Sequence, residues 1–396
     1  MGFKQDMLAT IKGDNCKHIP YVPRLDLWYR ANKLAKTLPA KYEHASLSRI
    51  LADHNMGFHA VIPDFQDLRS PDDDVDRGLG IYNLHMMPYR TVLHNVHRNV
   101  DRKKDRTKIR YQTPYGDITT TVLFNDEMRK AGITLTHIEE HAIKNVDAYR
   151  SLGYIFDNAE VIPNYDGYLK FADKIGDQGV AVGFASLAAS PMQLIQRELI
   201  YLEKFFFELY DHPDELHLLA EKIGIYWNRL LQVIKASPAE LVLLGANYDT
   251  SVTYPPFFKK YIKPWLKKWA AELHQKGKYL LTHTDGENDG LLQYYVDAKI
   301  DVADSICPQP MTRLTFKQVR DTFNGKITIM GGIPSVIFLS DSYSDIDFER
   351  YMDNFFKEIG DGKYLIMGIS DTTPPAAEFS RIIRAGQLID EFGLLE

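Results

Sequence analysis

The stretch Leu280-Leu281-Thr282-His283-Thr284-Asp285-Gly286-Glu287 sets the reading of the whole chain. A short apolar run stops at a histidine, and two acids follow with a glycine between them. Further on, Ile300-Asp301-Val302-Ala303-Asp304-Ser305-Ile306-Cys307-Pro308 repeats the plan, an apolar run ending in potential ligands. As neighbouring buried parallel strands, the two runs place His283, Asp285, Glu287, Asp304 and Cys307 around one patch above the strand ends. Imidazole, carboxylate and thiolate together suit zinc.

Working outward, the same kind of run recurs. Short apolar segments lie near residues 21, 58, 179, 241, 279, 301, 326 and 364, and from the third onward each is followed by a helical pattern. The helical patterns cover residues 191–210, 213–236, 257–275, 289–298, 347–359 and 376–391, with Asp211 before Pro213 opening the second. Thr315 with Gln318 three residues on forms a capping box, and Gly277 closes the helix before the fifth strand. Eight buried runs alternating with helices predict a (β/α)8 TIM barrel. A doubly wound open sheet is the alternative, weakened because no strand is followed by a GxGxxG loop.

Before the barrel proper, residues 3–12 have helical spacing, and the N-terminal helix belongs to a segment of residues 1–18. Ile19-Pro20-Tyr21-Val22-Pro23-Arg24-Leu25-Asp26-Leu27-Trp28 contains two prolines and reads as the first strand. On a strand Arg24 and Asp26 share a face, either as a structural pair or as part of a site. Residues 58–63 read as the second strand, and Ser70-Pro71-Asp72-Asp73-Asp74 as a solvated loop. From Thr91 to Phe124 the period changes to two, with a turn at Pro114-Tyr115-Gly116-Asp117. An antiparallel β insertion, spanning about residues 65–140, is therefore expected after the second strand of one barrel domain over residues 1–396. The basic run Arg102-Lys103-Lys104-Asp105-Arg106 falls at a hairpin tip.

Composition narrows the function classes. The chain has 396 residues, a formal charge of −6, 45% hydrophobic and 25% charged residues. That is a globular protein whose mild acidity points away from nucleic acid and anionic membranes. Two cysteines, Cys16 and Cys307, make no disulfide framework and favour a reducing cytoplasm. No signal-peptide pattern or membrane-length apolar run is present.

In a barrel the active site lies at the C-terminal strand ends. Those ends carry Asp26, Ser186, Asn247-Tyr248-Asp249, His283-Thr284-Asp285, Asp304 to Cys307, Gly331-Gly332 and Ser370-Asp371. The candidate metal ligands are His283, Asp285 and Cys307, with Glu287 or Asp304 as alternative carboxylates. Asp285 also fits a helix cap, and Asp304 a partner that orients His283. Asp26, Tyr248 and Asp249 are the candidate catalytic groups. Arg24, Trp28, Asn247, Gly331 and Gly332 are the candidate substrate-binding residues, with Arg24 as anchor for a substrate carboxylate. The glycine pair either lets a ligand approach the backbone or shapes a tight turn.

The opening Pro-Arg-Leu-Asp-Leu-Trp, the His-Thr-Asp-Gly strand end, Ile-Met-Gly-Gly-Ile-Pro and the closing Met-Gly-Ile-Ser-Asp-Thr-Thr-Pro-Pro resemble the uroporphyrinogen decarboxylase superfamily. That resemblance implies either a metal-free porphyrinogen decarboxylase or a zinc-dependent methyltransferase working with a corrinoid protein. The decarboxylase branch carries Arg-Gln-Ala-Gly-Arg near its N-terminus, where this chain reads Arg24-Leu25-Asp26-Leu27-Trp28-Tyr29-Arg30. Thiol methyltransferases carry His-x-Cys and a second Cys near the last strand, where this chain has His283-Thr284-Asp285 and Gly368-Ile369-Ser370. The resemblance therefore carries over His283 and points to methyltransferases acting on methoxylated aromatic compounds. A carboxylate in place of a thiolate leaves a harder Lewis acid, suited to helping an aryl ether oxygen leave. A small methoxylated aromatic donor, a corrinoid (cobalamin) acceptor on a partner protein, and a homodimer are the expected partners. The alternatives are a decarboxylase and a corrinoid methyltransferase with another donor such as methanol.

Overall fold

The computed structural model describes residues 2–14, 16, 18–61 and 75–392. Its centre is a six-stranded parallel sheet made of Gly183–Ser186, Leu241–Ala246, Tyr279–His283, Val302–Ile306, Thr328–Pro334 and Leu365–Ser370, paired in chain order. Nearly every residue of these strands is buried, as continuous apolar runs covered on both faces require.

Two shorter staves carry the ring round. Val22 N donates to Met367 O at 2.7 Å and Met367 N to Pro20 O at 2.8 Å, so residues 20–22 lie parallel to the last strand. Gly57 N donates to Tyr21 O at 2.8 Å, and Val182 N to Ala60 O at 3.1 Å. These contacts join the first stave to the second and the second to the chain entering Gly183–Ser186. The fold is the TIM barrel that the alternating runs predict. Its first strand is shorter than expected: a helix begins at Asp26 and runs Asp26–Ala35, so Asp26 and Trp28 sit on a helix and not on a strand. Pro20 and Pro23 restrict only the residues around them, and nothing after Pro23 opposes a helix.

The antiparallel insertion also forms. His97–Lys103, Arg106–Thr113, Gly116–Leu123 and His137–Glu140 make a four-stranded sheet, and Tyr89–Leu93 pairs antiparallel with Ala159–Pro163. The basic run turns at residues 104–105, between the first two of these strands. The expected loop at 70–74, and Ile62 and Pro63 of the second strand, lie outside the described residues.

Two helical expectations need correction. The pattern over 191–210 is not one helix: it breaks at Ile200 and Tyr201, whose extended backbone separates Ile195–Leu199 from Leu202–Asp211. Asp211 ends that second helix, and His212 takes the cap position of Pro213–Ala236. The capping box at Thr315 and Gln318 is present as expected. Phe3–Lys12 is helical.

Candidate metal centre

Strand register decides the centre. Asp304 pairs with His283 across neighbouring strands, so the two side chains stand side by side. His283 Nδ1 donates to Asp304 Oδ2 at 2.5 Å, and His59 Nε2 lies 2.9 Å from Asp304 Oδ1. Asp304 is fully buried between the two imidazoles. Pairing with an ionised carboxylate keeps the His283 proton on Nδ1 and turns Nε2 toward the barrel mouth.

At the mouth, His283 Nε2 lies 3.0 Å from Asp371 Oδ1. Ligand atoms of His283, Asp285 and Asp371 all fall within 4.8 Å of one another. Each carboxylate has a holder. Arg24 Nη1 donates to Asp371 Oδ1 at 2.7 Å, and Arg24 Nε lies 3.3 Å from Asp26 Oδ1. Thr373 N donates to the Arg24 carbonyl at 3.0 Å, tying the first loop to the last. Asn247 Nδ2 donates to Asp285 Oδ2 at 3.1 Å.

The electrostatics report a surplus of negative charge. Burial alone would lower the His283 pKa, but Asp371 and Asp304 outweigh it and push it up to about 10. Asp304 is held well below the carboxylate range: burial opposes this, and His59 and His283 overcome it. Asp371 is held low as well, against burial, by Arg24 and then His283. Asp285 moves the other way, raised by burial and by Asp371. Among the described residues, four carboxyl groups (Asp26, Asp285, Asp304, Asp371) surround one guanidinium (Arg24), so acidic groups are in excess. Such a set of one imidazole nitrogen and two carboxylates, with the imidazole fixed from behind, fits a divalent cation.

The other sequence candidates fall in several places. Cys307 is buried and does not enter the converging group; burial, with Asp285 and Asp371 nearby, pushes its thiol up to about 12. Glu287 turns away to the loops, where its carboxylate accepts from the backbone N of Asp289 at 3.0 Å and of Arg313 at 2.9 Å. Asp304 orients His283, one of the roles considered for it.

Tyr248 is a correction. Asn247 takes a left-handed backbone (φ 55°), and Tyr248 turns back into the core against Phe258 and Tyr295. Its hydroxyl is 2.6 Å from Thr282 Oγ1, and burial raises its pKa. Asp249 bonds to Ser251 and accepts from Glu287 N at 3.2 Å, clamping two loops together. Trp28 is also a packing residue: its ring stacks on Phe379 at 5.1 Å and its indole N–H donates to Ala377 O at 3.1 Å. Gly331 and Gly332 are buried in the barrel interior. Both have positive φ, and a Cβ on Gly332 would meet Phe316 at 2.6 Å, so close packing explains the pair. Arg24 is committed to Asp371 and Asp26 instead of standing free for a substrate.

Asp371 and His59 are the residues sequence reasoning missed. Asp371 appears among the strand ends, and that position was its only signal. His59 sits on the second apolar run with nothing local to mark it.

The fold and this cluster define a TIM barrel with a candidate metal centre at the C-terminal strand ends. Residues 136–388 match the uroporphyrinogen decarboxylase (URO-D) family, and the chain belongs to that family. A solved methyltransferase from Methanosarcina mazei is similar in fold, with a TM-score of 0.50 at 13% identity over 99% of this chain and 99% of that one. A search of curated proteins found no match. No helix among the described residues is long and apolar enough to cross a membrane.

Proposed function

We propose that the protein is a zinc-dependent methyltransferase that moves the methyl group of a methoxylated aromatic compound to the corrinoid of a partner protein. The observation that carries this reading is the convergence of His283, Asp285 and Asp371 at the barrel mouth, with carboxylates in excess. These three residues would hold the zinc, whose Lewis acidity favours loss of an aryl ether oxygen. The chain's own part is positioning. Asp304 holds the His283 Nδ1–H so that Nε2 faces the site, Arg24 fixes Asp371, and Asn247 fixes Asp285. The Methanosarcina methyltransferase supports the reading through its fold. Methanol as donor fits the same centre, and a cytoplasmic homodimer remains part of the proposal.

Decarboxylation of a tetrapyrrole acid is the second reading. The family description favours it, and so does the proton that metal-free His283 holds next to Asp371. Metal analysis separates the two. Wild type should carry one zinc per chain and demethylate methoxybenzoates with reduced cobalamin. His283→Ala and Asp371→Ala should lose both zinc and turnover while circular dichroism stays unchanged. Full activity in zinc-free wild type would refute the metal reading.

A further inference from the structure

A second feature borders the centre. A cavity of about 570 Å3 lies between the antiparallel insertion, the segment Pro191–Leu199 and the loop after Leu241–Ala246. That volume suits a single small molecule. Asn247 lines it, and the same Asn247 holds Asp285 of the metal group, so cavity and centre are neighbours. Much of the wall is apolar, with Met128, Leu135, Ile138 and Val252 among its residues.

The polar part of the wall is unusual. Glu198 is 2% exposed and accepts from Arg77, from Arg197 Nε at 3.1 Å and from Tyr82 at 3.3 Å. Among the described residues two guanidiniums share this one carboxylate, which leaves one positive charge over. Arg197 directs Nη1 to the Ala246 carbonyl at 2.8 Å. Arg77 is 7% exposed, and its buried Nε has no hydrogen-bond partner among the described residues. A buried guanidinium donor left unpaired costs free energy, and an anion in the cavity offsets the spare charge beside it.

We propose that this cavity binds an aromatic carboxylate, with Arg77 as the anchor for its anion and the ring lying toward Asn247 and the metal centre. The anchor role expected of Arg24 passes to Arg77, because Arg24 is held by Asp371 and Asp26. As a statement about the methyl donor this rests on the proposed function; as a binding site it stands alone.

Calorimetry with two probes tests it, 3-methoxybenzoate and the uncharged methoxybenzene. Wild type should bind the carboxylate at least about tenfold more tightly, the effect of roughly one charge-assisted hydrogen bond. Zinc-free protein should keep that preference. Arg77→Met should erase it. Val252→Trp, which fills the cavity and leaves the Arg77–Glu198 pair intact, should abolish binding of both probes. Should Arg77→Met fail to fold by circular dichroism, Val252→Trp decides alone. Equal affinity for the two probes, a preference that survives Arg77→Met, or wild-type binding by Val252→Trp each overturns the proposal. A protein without zinc or methyl transfer that still prefers the carboxylate refutes the proposed function and leaves the anchor standing. Zinc-dependent demethylation without that preference does the reverse.

Discussion

Replacing Asp304 with asparagine tests the centre without touching any of the three converging ligands. Asp304 is fully buried and serves two imidazoles, His283 at 2.5 Å and His59 at 2.9 Å. Asparagine has the same shape but only one acceptor oxygen, so one imidazole must face the amide NH2. If that ring is His283, its proton moves from Nδ1 to Nε2, and Nε2 is the nitrogen that faces Asp371. A protonated Nε2 is no ligand. Loss of such a supporting carboxylate costs about 10- to 100-fold in metal affinity, or roughly 1.4–2.7 kcal/mol. The metal-free fold should also lose about 2 kcal/mol, because one charge-assisted hydrogen bond disappears from a buried site. Zinc titration against a competing chelator, urea unfolding of the zinc-free protein and kcat/KM for demethylation together measure the effect. Zinc affinity within about threefold of wild type, with turnover preserved, would refute the role of Asp304 in presenting His283 Nε2 to the metal.

Arg24→Met should release Asp371 and lower turnover of charged and uncharged methoxylated donors alike; a KM increase confined to carboxylate donors would return Arg24 to the substrate pocket. Glu140 gives a pH test on the insertion. Burial would raise its pKa, but bonds from Thr121, Lys144 and Thr119 lower it from 4.5 to about 2. A depressed folded pKa stabilises above pH 4.5, and that stability is lost as pH falls toward 2. Glu140→Gln should therefore lose roughly 1 kcal/mol at pH 7, a value reduced for partial exposure, and show a flatter melting-temperature profile in acid. Parallel profiles for variant and wild type would contradict this.

The barrel and half of the candidate metal centre are legible in the chain itself. Buried parallel strands need apolar residues on both faces, so Leu241–Ala246, Tyr279–His283 and Val302–Ile306 show as continuous runs. The change to period two marks the insertion for the opposite reason, since its strands keep one wet face. His283, Asp285 and Asp304 are readable because they end two successive strands, and neighbours in sequence order are neighbours in the sheet.

Local pattern is silent on everything set by long-range geometry. Asp371 reaches His283 because the mouth brings the eighth strand's end across to the fifth, a relation between residues 88 positions apart. Arg24 looks like a free cation until that same loop supplies Asp371. Tyr248 looks like a mouth residue until the left-handed turn at Asn247 reverses it into the core. A side chain's direction just past a strand depends on one or two backbone dihedrals, and sequence patterns constrain those least. Only the folded chain, with register and loop turns in place, decides which groups at the strand ends meet.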